Sequence, residues 1–196
     1  MYTEFTYNVY IPSQNKEVQF KPLLVKQFTD LLNCSYNIPF LNISFNLKLN
    51  EIIKHNIVTE DSITEFDKFV IALYIRQNDL SFDTTINSTE HPKDTTIQTI
   101  PCSVPTIEKE DEYLNYITSL LKQNNFNKDT LLIAEIAKYI NWDISFEEKV
   151  KQTFSLSIDI LAKIIKYIDS VKNTVAGIYK QPNSITLPYN VSLFIE

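Results

Sequence analysis

One glycine, Gly177, stands in the 196 residues of this chain. A phosphate-binding loop and a dinucleotide fingerprint each need several glycines, where backbone must approach phosphate more closely than a Cβ permits. The chain holds neither. Cysteine is nearly as scarce. Cys34 and Cys102 lie far apart, so no disulfide is implied and a reducing compartment is the simpler expectation. Together with His55 and His91 they form none of the short-spaced pairs that zinc sites use, and no metal or other cofactor is expected. There is no long uncharged apolar run, which argues against a transmembrane helix. The opening MYTEFTYN lacks the basic-then-apolar order of a secretory signal. A basic stripe is missing too. The net charge is −6, the pI is about 5.0, and Lys and Arg are scattered, so a nucleic-acid surface is not expected.

Apolar residues make up 44% of the chain, enough for one sizeable core or two small ones. Alternation of Tyr7, Val9 and Ile11, then of Val18 and Phe20, around the turn-like Pro12–Lys16 predicts a β-hairpin. Pro22 suits the first position of a helix whose mostly apolar face is Leu23, Leu24, Gln27, Phe28, Leu31 and Leu32. A second helix is predicted over 46–58. A third starts near Asp61 or Ser62, with Ser62 and Glu65 as a capping box, buries Ile63, Phe66, Phe69, Val70, Leu73 and Tyr74, and ends before Asp79. Residues 83–106 crowd seven threonines and three prolines together, which favours short extended pieces such as Thr95–Ile100, in an irregular β insertion or a linker.

Further helices are predicted near 108–123, 128–141, 146–152 and 154–175, with Ser145 and Glu148 as a second capping box. The helix at 154–175 carries two apolar stripes. One is Phe154, Ile158, Leu161, Ile165 and Ile168; the other is Leu156, Ile160, Ile164, Tyr167 and Val171. Either it is central to its domain or part of its face meets a partner. Gly177 reads as a helix stop, and the parity of Ile185, Leu187, Tyr189, Val191 and Leu193 predicts a closing strand. The fold class is therefore α+β. The expected segments are 1–82 (hairpin and helices), 83–107 (extended) and 108–196 (helices and terminal strand), the last open to forming one domain with the first. The terminal strand could return to the hairpin.

Acidic clusters at Glu108–Glu112 and Glu147–Glu148 stand at helix starts, where the macrodipole favours negative charge. A Cys34–His55 nucleophilic pair is compatible with residue type alone, and an inert Cys34 is the plainer reading. A hydrolase using such groups is therefore a remote alternative.

The segment Ile11-Pro12-Ser13, Lys16, Val18, Phe20-Lys21-Pro22-Leu23-Leu24-Val25-Lys26-Gln27 resembles the opening of the baseplate-hub assembly family of T-even-like contractile-tailed bacteriophages. In that family a strand, a Pro-Ser turn and a second strand lead into a Phe/Tyr-Lys/Arg-Pro-x-Leu-Val-Lys signature. Ile63–Asp67 followed by Leu73–Arg76 and Ser81 resembles the family's Phe-Asp helix with its Leu-x-x-Arg ending, and Ile185…Leu193-Phe194 resembles its terminal strand. Two departures stand out. Asn78–Ser81 replaces a Ser-Val-Gly-like turn, and Tyr179–Pro182 stands where some relatives carry paired cysteines, so no metal knuckle is implied.

The resemblance implies a non-enzymatic assembly factor. As a chaperone it would bind the tape-measure protein or hub subunits in the host cytoplasm, before tail-tube assembly. The alternative is a structural hub subunit retained in the virion baseplate. Self-association is open, and neither nucleic acid nor membrane is expected as a partner. The candidate partner-binding residues are Phe20, Pro22, Leu23, Val25, Phe66, Arg76, Leu193 and Phe194.

Overall fold

The computed structural model describes residues 5–34, 43–87, 90–123, 127–183 and 185–195. The chain is α+β and divides into two compact units, residues 1–91 with 175–196, and residues 92–174. The segment expected to be extended at 83–107 is thereby shared between them.

In the first unit, β1 (Tyr7–Ile11) and β2 (Lys16–Phe20) form the expected antiparallel hairpin, with Val9 opposite Val18 and Tyr10 opposite Glu17. Val9, Ile11, Val18 and Phe20 are buried, so the alternation seen in sequence is the core face of this sheet. Asn15 closes the turn at φ 51°, a left-handed position that Asn tolerates well. A third strand, β3 (Ile57–Val58), pairs antiparallel with Gln19–Phe20. It occupies the end of the helix predicted over 46–58, which instead spans Ile43–Asn56 as α2.

Helix α1 (Val25–Asn33) starts three residues after Pro22, not at it. Leu24 is the extended N-cap residue, and Gln27 accepts a 2.9 Å hydrogen bond from its N–H. Helix α3 (Glu65–Asn78) is capped by Thr64, with Asp67 as its reciprocal partner. The box is therefore two residues later than Ser62 and Glu65. It is won by the pair whose carboxylate is also used elsewhere in the fold, as described below.

The C-terminal segment does not supply a strand among the described residues. Leu193 and Phe194 lie in a 3-10 turn, Val191–Phe194, and an isolated bridge links Lys180 to Thr186. Both side chains are buried, and Phe194 meets Phe45 with ring centroids 6.0 Å apart. Of the apolar series at 185–193 only Leu193 is buried, Ile185 is exposed, and the segment fills the core from an irregular end instead of a strand.

In the second unit, β4 (Thr95–Ile97) and β5 (Ile100–Cys102) form a hairpin, followed by α4 (Ile107–Lys122), α5 (Lys128–Tyr139) and α6 (Phe146–Phe154). Ser145 caps α6 by accepting from the Glu148 N–H. Helix α7 (Ile158–Tyr179) contributes its residues up to Thr174 to this unit and its last turn to the first. The single helix predicted over 154–175 is broken at 155–157, where Ser155 and Leu156 bond back to Gln152 and Thr153 and the Ser157 hydroxyl faces the Ile160 N–H. Ile164, Ile168 and Val171 are buried, whereas Phe154 and Ile158 are exposed. Gly177 does not stop α7, which continues to Tyr179 without a left-handed turn. No helix of the described residues is long and apolar enough to cross a membrane.

Candidate interaction surface

The segment Lys21–Gln27 is held by one buried side chain, Asn56, at the last position of α2. Its amide nitrogen donates to the carbonyls of Lys21 (2.9 Å) and Pro22 (3.2 Å) and to Gln27 Oε1 (3.2 Å). Its oxygen accepts from Gln27 Nε2 at 2.8 Å, and its own carbonyl accepts from the Lys21 N–H. A second clamp is Asp79, which accepts from the Leu23 N–H (3.2 Å) and the Tyr7 hydroxyl (3.0 Å). Burial raises the Asp79 carboxyl above its usual range, partly offset by those two hydrogen bonds, and burial with the Asp79 charge raises the Tyr7 phenol.

This backbone is fixed from below, and its apolar side chains are left outside. Leu24 is 65% exposed and Val25 83% exposed. Exposed apolar residues are common singly; two in succession on a rigidly held helix start are a ready contact point.

The candidate residues separate cleanly. Phe20, Phe66, Leu193 and Phe194 are buried core. Arg76 is buried too: it donates a 2.5 Å hydrogen bond to the Leu193 carbonyl and stacks 4.4 Å from the Phe82 centroid. Pro22 and Leu23 are half-buried, and Val25 is open to solvent. The end of α3 gathers several of them, since Arg76 reaches Leu193 and Asp79 reaches Leu23. Phe66 lies at the other end of that helix, edge-on to His91 at 5.4 Å. Leu24 joins the surface although the sequence placed it on the buried face. The period was right, but the helix starts later than Pro22, so Leu24 caps it.

A second polar centre joins the hairpin turn to α3. The Asp67 carboxylate is fully buried and accepts from the Ser13 N–H (2.9 Å), the Ser13 hydroxyl (2.6 Å), the Thr64 N–H (2.9 Å) and the Thr64 hydroxyl (2.7 Å). His91 Nε2 lies 3.2 Å from Thr64 Oγ1. Hydroxyl, histidine and carboxylate occur together here, yet the protons run the wrong way for nucleophilic catalysis. Both hydroxyls give their hydrogen to Asp67, so His91 can only donate to Thr64, whereas an activated hydroxyl must donate to the imidazole. The centre is a structural tie. Its signature, Thr64 three residues before Asp67, is visible in sequence.

The Cys34–His55 pair fares no better. Burial raises the Cys34 thiol, Lys48 lowers it, and Asp30 and Glu51 raise it again, for a net upward shift away from a reactive thiolate. His55 is exposed on α2 and lines a shallow groove of about 220 Å³ with Lys26, Asp30, Lys48 and Glu51. Cys102 is buried in the second unit, and burial pushes its thiol up to about 11. Among the described residues, no three His, Cys, Asp or Glu side chains are grouped as metal ligands would be.

Comparison with protein-family models, with curated proteins and with solved structures returns no match.

Proposed function

We propose that the chain is a non-enzymatic assembly factor of a phage tail baseplate hub, a chaperone that binds the tape-measure protein or hub subunits before tail-tube assembly. The observation that carries this reading is the exposure of Leu24 and Val25 inside the segment whose wording resembles the hub-assembly family. A long helical client presents apolar stripes that aggregate when unpaired. An acidic helper with an exposed apolar pair on a rigid helix start can cover such a stripe and keep it in solution.

Tagged protein from infected cells, analysed with purified particles by mass spectrometry, tests the proposal. Capture of the tape-measure or hub protein, with absence from finished tails, is the expected result. Presence in virions at fixed copy number overturns the chaperone reading in favour of a retained hub subunit. Replacing Leu24 and Val25 by aspartate should abolish capture while leaving the fold intact. Both side chains face solvent, and Asp is a better N-cap than Leu.

A further inference from the structure

A cleft of about 260 Å³ opens beside the N-terminal hairpin, and Tyr10, Glu17, Val70, Tyr74, Ile86 and Asn87 are among the residues lining it. That is several times the roughly 30 Å³ that a water molecule occupies in the liquid. Tyr10 and Glu17 are cross-strand partners, so both stand on the sheet face opposite buried Val9, Ile11 and Val18. Val70 is buried, while Tyr74, one helical turn along α3, is half-buried.

Asn87 and Tyr10 have spent their donors on other groups, and Glu17 only accepts. The Asn87 amide nitrogen donates to the carbonyls of Gly177 (3.1 Å), Ile178 (3.2 Å) and Lys180 (2.6 Å). Carbonyls only accept, so this sets the amide's orientation and leaves Oδ1 for another donor. The Tyr10 hydroxyl gives its proton to Asn15 Oδ1 at 2.7 Å. Glu17 accepts one hydrogen bond from Asn8 at 3.0 Å and has no cationic partner among the described residues. Among the described lining residues it carries the only formal charge.

Two phenol rings, spare acceptors and a lone carboxylate complement a planar cation rich in N–H donors. A guanidinium meets all three demands, stacking on aromatic faces while its fork of donors reaches carboxylate and amide oxygens. We infer that this cleft receives an arginine side chain from a partner protein. The chain cannot supply the ligand itself or from a second copy, because its one arginine, Arg76, is buried against Leu193 and Phe82. The protein source of that arginine rests on the assembly reading; the chemistry of the cleft does not.

The test is a titration of the ¹⁵N-labelled full chain with the blocked tripeptide Ac-Gly-Arg-Gly-NH₂, followed by amide chemical shifts. Its citrulline counterpart keeps the shape and removes the charge. Saturable shifts confined to Tyr10, Glu17, Tyr74, Ile86 and Asn87 with the arginine peptide, and none with citrulline, are expected. Glu17→Gln, at an exposed position that keeps the fold, should weaken binding about fivefold, the upper end for an exposed ion pair. Tyr74→Leu should weaken it further by removing a stacking face. Equal response to the two peptides, or shifts located elsewhere, overturns the inference. Arginine binding without capture of a tail protein would sink the assembly reading alone; capture without arginine binding would sink this inference alone.

Discussion

The two units bury polar groups in different ways. In the first, buried polar side chains tie together segments far apart in sequence: Asp67 holds Ser13, Asn56 holds Lys21 and Pro22, and Arg76 holds Leu193. Lys68, fully buried, donates to Asn46 at 2.9 Å beneath the Tyr189 ring. In the second unit two buried polar groups bond locally or lie against rings. The Thr153 hydroxyl bonds back to the Lys149 carbonyl one turn earlier, and Lys138 lies about 5 Å from the Tyr113 and Tyr139 ring centres. Apolar helix packing, including Ile117, Ile136, Ile164 and Ile168, makes up most of that core, which also buries Glu110 and Lys149. A unit built from short strands and irregular segments gains its order from directional bonds. A helical unit satisfies most of its backbone internally and leans more on packed volume.

Substitutions can break this contrast, and the first unit should be the more sensitive. Asp67→Ala removes the acceptor for four hydrogen bonds at a fully buried site. It should cost about 3 kcal/mol or more in urea unfolding, since hydrogen bonds to a charged group are the strong ones. Asn56→Ala strands the Lys21 and Pro22 carbonyls and should cost about 2 kcal/mol. It should also loosen the Leu24–Val25 surface, seen as faster amide exchange over 21–28.

The second unit should instead accept improvement. Its β4–β5 turn places Gln98 and Thr99 at φ 47° and 74°, the paired left-handed geometry of a two-residue hairpin loop that Asn-Gly fills best. A β-branched residue there is strained, so Thr99→Gly should stabilise by about 1 kcal/mol. A smaller gain is expected in the first unit's share of α7, where Gly177→Ala adds a Cβ that meets nothing within 4 Å and should add roughly 0.5–1 kcal/mol in thermal unfolding.

The smallest effect concerns pH. The Asp79 carboxyl is raised in the folded chain, so the native state binds more protons than the unfolded state just above the ordinary carboxylate value of 3.8. Stability contributed by this group is present below that value and declines as pH rises through the raised one. Asp79→Asn should flatten that decline, measured as unfolding free energy from pH 3 to 7.

Long periodic elements were legible in sequence because their signal is repeated. Helices α4 and α5 lie within a few residues of their predicted spans, and the hairpin follows its alternation. What the pattern could not carry was decided by tertiary bonds. Ile57–Val58 is too short to alternate, and it becomes a strand because β2 offers an edge. Thr64 outcompetes Ser62 as cap because Asp67 also serves Ser13. Gly177 lies within a helix whose end is set further on. Of the surface, Pro22, Leu23 and Val25 were visible as a motif. Tyr10, Glu17 and Asn87 were not, because the feature joining them is which donors are already spent, and that depends on carbonyls ninety residues away.

The order in which the polypeptide emerges from the ribosome gives the two-unit arrangement a further consequence. Residues 92–174 are complete in sequence before residues 175–196 are made, and the first unit draws buried Ile178, Tyr179, Leu193 and Phe194 from that later stretch. The N-terminal unit is therefore begun first and finished last. Throughout synthesis of the intervening unit, Phe45 lacks Phe194 and Arg76 lacks its carbonyl acceptor on Leu193. The nascent protein must carry an open core across that interval, when apolar surface is most prone to mispairing.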